Sequence, residues 1–303
     1  MKAILTAASA ARRRLRAWRH RLDSRFILRA RRAARGRKYL ITGATSGIGE
    51  AAAAELLRCG ASVLIHGRSP QRLAQSVARL QAQARHGARI WSYCAELADP
   101  RQIEHLLQQV RQDHSHLDGL INNAAIGVMA ERRVDARGLE WLWAVNVVAP
   151  WHLAHGLAET LARGHAPRIL NLASSLTHEI GDDLMLEHNW DPIHAYGRSK
   201  QAVIVLTVAL AEQLQAQGIV VNALDPGSID TAMFAGFELD FRGMPVRQAG
   251  ELLGRMIADP VLSETSGSLF RIGRPIELPP QALDVQFRTR LTGTLQRQAA
   301  AAA

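Results

Sequence analysis

Tyr196 and Lys200 lie four residues apart in Ala195-Tyr196-Gly197-Arg198-Ser199-Lys200-Gln201-Ala202. On a helix that step places both side chains on one face, one turn apart. An ammonium held there favours the phenolate and lowers the phenol from its ordinary pKa of about 10. A phenol tuned in this way can exchange a proton with a carbonyl or an alcohol near neutral pH. Tyrosine and lysine fall at this spacing in many helices. The pair gains meaning from a serine pair before it, Ser174 and Ser175, and from a glycine-rich turn far upstream.

That turn, Thr42-Gly43-Ala44-Thr45-Ser46-Gly47-Ile48-Gly49, stands between an apolar run ending at Ile41 and an alanine-rich stretch over 50–57. The run reads as a buried strand and the stretch as a helix. Glycines at such a junction let the backbone approach a pyrophosphate, and the helix start offers N–H groups and the positive end of its dipole. Gly43, Thr45, Ser46, Gly47, Ile48 and Gly49 are therefore a candidate cradle. Their spacing is not the G-x-G-x-x-G fingerprint, and no Gly-Lys-Ser/Thr of a P-loop follows. The glycines alone would equally suit an ordinary strand-to-helix turn.

Strand-like and helix-like segments alternate along the chain, which predicts a parallel sheet covered on both faces. Strands are expected to end near Ile41, Ile65, Tyr93, Ile121, Leu172, Ala223 and Phe270, with the clearest helices over 47–59, 70–84 and 196–215. The expected fold class is α/β, a Rossmann-type doubly wound parallel sheet of about seven strands. The 303 residues suffice for one well-filled domain, with ligands at the carboxyl ends of the strands. No internal repeat and no bilayer-spanning apolar run is visible.

The formal net charge of +10 is unevenly placed. Residues 1–38 hold fourteen Lys or Arg against one acid, Asp23, for +13, so the remaining chain carries −3. A nucleic-acid-binding enzyme is not implied. Leu15, Trp18, Leu22 and Phe26 recur at steps of three and four among arginines. This predicts either a basic amphipathic helix resting on an anionic membrane surface or a solvated, partly disordered arm. The segment lacks the continuous apolar core of a secretory signal. Its arginine-rich, acid-poor composition suits an organellar transit peptide, which nothing else supports. The expected organisation is an N-terminal arm over 1–37, a catalytic domain over 38–285 and a C-terminal tail over 286–303, frayed from Gln298 onward.

Turn and tyrosine–lysine pair together resemble the short-chain dehydrogenase/reductase family, with its T-G-x-x-x-G-x-G turn and Y-x-x-x-K site. The resemblance runs from about Lys38 to Phe270 and includes further landmarks in order. Ile121-Asn122-Asn123-Ala124-Ala125 is similar to the family's N-N-A-G segment beside the cofactor, and Val145-Asn146-Val147 to its V-N motif. Arg168-Ile169-Leu170-Asn171-Leu172-Ala173-Ser174-Ser175 is similar to the strand that delivers the catalytic serine. Val221-Asn222-Ala223-Leu224-Asp225-Pro226-Gly227 is similar to the late V-N-x-x-x-P-G segment. Ser174-Ser175-Leu176-Thr177-His178, the loop before Tyr196 and Ser266-Gly267-Ser268-Leu269-Phe270 resemble the retinol-dehydrogenase-like branch, which mostly handles hydrophobic aldehydes and ketones.

The resemblance implies a catalytic set of Asn146, Ser175, Tyr196 and Lys200. Tyr196 would protonate the carbonyl oxygen, and Ser175 would donate a hydrogen bond to it, with Ser174 as the competing serine. Lys200 would hold the ribose hydroxyls and depress the phenol, and Asn146 would position a water leading to solvent. Asn123, Ala124, Pro226, Gly227 and Thr231 would contact the cofactor, and Tyr196 and Lys200 would contact it as well. Arg68 and Ser69 follow the second strand, where an acid would accept the 2′-hydroxyl of NAD and an arginine can pair with a 2′-phosphate. NADP(H) is therefore expected over NAD(H), the plain alternative for Arg68 being a surface cation. Glu96-Leu97 stands where an Asp-Leu pair usually meets the adenine. Asp225 replaces the usual His or Ser before Pro226-Gly227, and a turn-forming role is favoured for it.

The segment 234–259 is expected to form a substrate lid, with its phenylalanines and Met233, Met244 and Met256 lining an apolar pocket or serving as plain core. His178, Asp182, Asp183, Glu187, His188 and His194 crowd one loop, but without metal-site spacing, so no metal is expected. Cys59 and Cys94 read as isolated buried thiols of a reducing compartment. The expected activity is an NADP-dependent alcohol dehydrogenase or carbonyl reductase on a hydrophobic small molecule. A double-bond reductase of the same fold and a non-catalytic NADP-binding sensor or scaffold are the alternatives. A homo-oligomer paired through the helix carrying Tyr196, in the cytoplasm or peripheral to a membrane, completes the expectation.

Overall fold

The apolar runs become strands because alternate residues of each are buried on opposite faces. Leu40, Leu64, Leu120 and Ile169 face one layer of helices, and Ile41, Ile65, Ile121 and Leu170 face the other. The structure, a computed structural model, describes residues 24–229 and 243–300. Its strands are β1 (Lys38–Ile41), β2 (Ser62–Gly67), β3 (Ile90–Cys94), β4 (Gly119–Asn122), β5 (Arg168–Leu172), β6 (Val220–Asp225), β7 (Ser268–Arg271) and β8 (Arg274–Ile276). They form one sheet in the order β3-β2-β1-β4-β5-β6-β7-β8. The first seven are parallel and agree with the expected strands. The eighth is an addition, paired antiparallel to β7. Its two-residue turn, Ile272-Gly273, has φ of 48° and 72°, the left-handed pair that a tight hairpin needs.

The principal helices are α1 (Ser24–Ala34), α2 (Gly47–Arg58), α3 (Pro70–Gln81), α4 (Pro100–Asp113), α5 (Ala149–Gly156), α6 (Pro192–Gln213), α7 (Val246–Ala258) and α8 (Val285–Ala300). α6 starts four residues before Tyr196, because Asp191 Oδ1 accepts the His194 N–H at 2.7 Å and Pro192 follows the cap. Every residue of α6 from Ala195 to Ala211 is buried, the polar Arg198, Ser199, Lys200, Gln201 and Thr207 included.

Three terminal and lid expectations change. Residues 286–303 were expected as a tail, but Val285–Ala300 is helical, with Leu291 and Leu295 in the core and Arg288 Nη2 donating to Glu212 at 2.7 Å. Part of the expected arm is a docked helix. Ala30 and Ala34 of α1 are buried, and Arg29 pairs twice with Asp259 at 3.0 Å. Of the expected lid, α7 belongs to the layer against α2, and Met256, 1% exposed, is core. Leu15, Trp18, Leu22, Met233 and Phe234 lie outside the described residues, and of Phe26 only its place in α1 is described.

Candidate functional site

The turn after β1 is held from both sides by hydrogen bonds. Thr42 Oγ1 accepts the N–H groups of Asn123 (3.0 Å) and Ala124 (2.9 Å), and the Asn123 amide donates back to the carbonyls of Thr42 (2.8 Å) and Gly43 (3.1 Å). From β2, His66 Nδ1 accepts the Gly43 N–H at 3.3 Å, and Nε2 lies 3.0 Å from the Ala95 carbonyl. These two contacts place the ring proton on Nε2. Burial keeps the ring neutral, its pKa lowered to about 4. Gly43 adopts φ 65°, and a Cβ on Gly49 would lie 2.4 Å from Asn123 Nδ2, so both positions require glycine. Ser46 leads into α2 in extended conformation without a side-chain cap bond. The first turn of α2 thus keeps N–H groups available to an anion, and these residues fit a dinucleotide pyrophosphate.

The helix over 141–156 carries a π-turn at Ala144–Val148 with Asn146 at its centre, a local widening that recurs at functional sites. The Asn146 amide clamps Ile126, accepting its N–H at 2.8 Å and donating to its carbonyl at 3.0 Å. It also donates to Ser199 Oγ at 3.0 Å, and Ser199 donates to the Tyr196 carbonyl at 2.7 Å. Asn146 therefore reaches the tyrosine's helical turn through Ser199.

Tyr196 is buried, and the Ser174 side chain is close enough to act on its phenol. Ser175, the expected donor, is exposed. This corrects the expectation: of the two serines, Ser174 is half-buried and is the one that acts on the phenol. A second correction concerns the phenol. Burial raises its pKa, the Ser174 side chain acts against this, and the Asp225 carboxylate adds to the rise. Lys200 was expected to depress it. Its Nζ instead donates to the Leu172 carbonyl at 3.0 Å and lies 5.7 Å from the Tyr196 ring centre. Burial pushes Lys200 down to about 8, opposed by Asp225.

Arg68 stands at the carboxyl end of β2 with its side chain 69% exposed, 3.8 Å from Glu96. Neighbouring Ser69 caps α3, accepting the Arg72 N–H at 3.3 Å. Glu96 Oε1 accepts the Ala98 N–H at 3.2 Å, while Leu97 is buried. At the end of β6, buried Asp225 accepts the Gly227 N–H at 2.9 Å, the turn-forming role expected of it, and pairs with Arg271 at 2.7 Å. Pro226 is buried beside it and Gly227 half-buried. Thr231 lies outside the described residues.

In the loop before α6, Asp183 accepts the N–H groups of Glu187 and His188, both at 3.0 Å, and Asp191 caps the helix. The rings of His178 and His194 meet edge to face at 5.1 Å. These acids thus shape turns and a cap. The expectation of two buried thiols is also revised: Cys94 is exposed at the end of β3, and Cys59 is half-buried, its thiol pushed up to about 11 by burial and the Glu55 carboxylate.

Two residues, Thr42 and His66, escaped the sequence reading, and Ser174 was weighed there as the competing serine. Thr42 is the threonine of the turn motif, and its hydroxyl proves to lock Asn123. His66 carries no signal in sequence at all.

Residues 37–240 match the family described as short chain dehydrogenase. Retinol dehydrogenase 14 from Homo sapiens is 30% identical over 289 residues, 84% of this chain and 84% of that protein. Polyprenol dehydrogenase from Homo sapiens is 30% identical over 208 residues, which cover 65% of this chain and 62% of the relative. A short-chain type dehydrogenase/reductase from Mycobacterium ulcerans superposes with a TM-score of 0.64 at 25% identity, over 86% of this chain and 98% of that one. A blue fluorescent protein from a metagenomic library, solved in complex with NADPH, superposes with a TM-score of 0.62 at 26% identity, over 79% of this chain and 97% of that one.

Proposed function

Because the chain belongs to the short-chain dehydrogenase/reductase family, in its retinol-dehydrogenase-like branch, we propose that it transfers a hydride between NADP(H) and the carbonyl or alcohol of a hydrophobic small molecule. The observation that carries the reading is Tyr196, a buried phenol beside Ser174, on the same edge of the parallel sheet as the open start of α2. When bound, the cofactor supplies the hydride in reduction and accepts it in oxidation.

Each residue then has a task. In the direction of reduction Tyr196 gives its hydroxyl proton to the carbonyl oxygen as charge builds there, and Ser174 donates a hydrogen bond to the same oxygen. Lys200 would hold the ribose hydroxyls, and with a pKa of about 8 it is largely cationic near neutral pH. Asn146, through Ser199, fixes the turn on which Tyr196 rides. Gly43, Thr45, Ser46, Gly47, Ile48 and Gly49 would cradle the pyrophosphate, and Arg68 would pair with the 2′-phosphate. Glu96 and Leu97 would border the adenine, and Asn123 and Ala124 its neighbouring wall. Pro226, Gly227 and Thr231 would border the nicotinamide.

A hydrophobic substrate suits relatives that carry the names retinol and polyprenol dehydrogenase. No helix of the described residues is long and apolar enough to cross a membrane. We place the enzyme at a membrane surface through residues 1–37. Because α8 lies on part of α6, we place any self-association away from that face.

The test is oxidation of NADPH and NADH by the purified protein against a panel of apolar aldehydes, ketones and enones. Turnover of a carbonyl with NADPH is expected, and Tyr196→Phe should lower it by about a hundredfold or more while leaving NADPH binding within a few-fold. Enones reduced only at the carbon–carbon bond, or full activity in the phenylalanine variant, would overturn the reading.

A further inference from the structure

The edge of the molecule opposite Tyr196 holds an arginine-walled cavity that hydride transfer does not use. α2 starts at the cofactor turn and runs for twelve residues, about 18 Å along its axis. At its far end a cavity of about 420 Å³ is walled by Arg31 and Arg32 from α1, Arg35 from the turn just after it, Arg58 from α2 and Arg85 from the loop after α3. Three segments of the chain supply these charges, and backbone bonds fix their relation: Gly36 N–H donates to the Gly60 carbonyl at 2.9 Å and Arg85 N–H to the Leu57 carbonyl at 3.2 Å. The Arg85 guanidinium is itself held by the carbonyls of Ala82 and Ala84, each at 3.0 Å.

The cavity carries an excess of positive charge. Among the described residues, Glu55 is the carboxylate in ion-pair contact with this set, at 3.4 Å from Arg31 and 2.9 Å from Arg58. It is buried and also faces Arg255 at 3.9 Å, and no carboxylate among the described residues forms an ion pair with Arg32, Arg35 or Arg85. The Cys59 thiol in the wall stays protonated near neutral pH and adds none. Leu28 stands 57% exposed at the rim, an apolar contact beside the cations. Guanidinium groups that converge on one phosphoryl group hold its oxygens through paired, charge-assisted hydrogen bonds.

We propose that this cavity binds phosphate groups, with Arg32, Arg35 and Arg85 as the gripping cations. An anionic lipid headgroup and a soluble phosphate compound present the same chemistry. Arg31, Arg32 and Arg35 precede the residues that match the family, while Arg58 and Arg85 lie within them. The cavity stands apart from the hydride-transfer reading.

The test uses the full chain with excess NADP⁺, which keeps the cofactor turn out of the measurement. Inorganic pyrophosphate is titrated calorimetrically, and the protein is separately co-sedimented with phosphatidylcholine vesicles with and without phosphatidic acid. The comparison is the Arg32→Gln/Arg85→Gln double variant. Both side chains are on the surface, and an unchanged unfolding midpoint shows that the variant is folded. The expected result is at least about tenfold weaker binding in the variant. A loss confined to the vesicles identifies a lipid headgroup, and a loss confined to pyrophosphate identifies a soluble phosphate. Equal binding by both proteins in both arms, or no binding by the unaltered chain, overturns the proposal. Pyrophosphate bound at an unfilled cofactor turn would be insensitive to the double change, so failure of the NADP reading is told apart.

Discussion

Between Ser174 and Ser175 a single backbone step decides which hydroxyl meets the reacting oxygen. Ser174 is half-buried and acts on the Tyr196 phenol, and Ser175 is exposed. Ser174→Ala should therefore lower kcat/KM by about a hundredfold, whereas Ser175→Ala should stay within about twofold. Steady-state kinetics on the best carbonyl substrate checks this, and the opposite ranking would return the role to Ser175. At this scale the sequence was legible where spacing carries the information, as for Tyr196 and Lys200. It was silent where orientation carries it. Two adjacent serines look alike in a string of letters, and so does a lysine whose ammonium turns to the Leu172 carbonyl instead of the phenol. Burial, which raises Tyr196 and lowers Lys200, depends on helices far along the chain.

For the elements, hydrophobic patterning located the seven parallel strands and the helix after the glycine turn. It missed β8 because Ile272, a branched residue, occupies a left-handed turn position where glycine or asparagine would be the usual signal. The π-turn around Asn146 was invisible too, since Ala144-Val145-Asn146-Val147-Val148 has nothing that marks a widened turn. The junction of β2 and α3 was read by residue type: Arg68 beyond the strand end, with no acid at hand. Its side chain reaches solvent, and Glu96 at 3.8 Å is a weak competitor. Arg68→Ala should weaken NADPH binding about tenfold, the order of one charge-assisted contact to phosphate, and leave NADH nearly unchanged. Fluorescence titration of both nucleotides measures it, and equal losses would remove Arg68 from cofactor choice.

Across the whole molecule, α6 is the spine of the site and α8 is part of its cover. Leu291 and Leu295 enter the same core as Val203 and Leu206 of α6, and Trp143 Nε1 donates to Gln298 at 3.1 Å. The sequence suggested a tail here, because Gly293, the threonines and the alanine run obscure a short apolar stripe. Leu295→Ala should cost about 2–5 kcal/mol, a large part of a domain's usual margin, read as a lower urea midpoint at constant slope. An unmoved midpoint would mean that α8 adds nothing to stability. The cover also sets an order of events during synthesis. β6, α7 and the β7–β8 hairpin all separate α6 from α8 along the chain. As the polypeptide leaves the ribosome, the helix bearing Tyr196 and Lys200 emerges long before its lid of leucines. A nascent chain halted short of Val285 would display bare valines and leucines of α6. That interval is when a chaperone has the most apolar surface to shield.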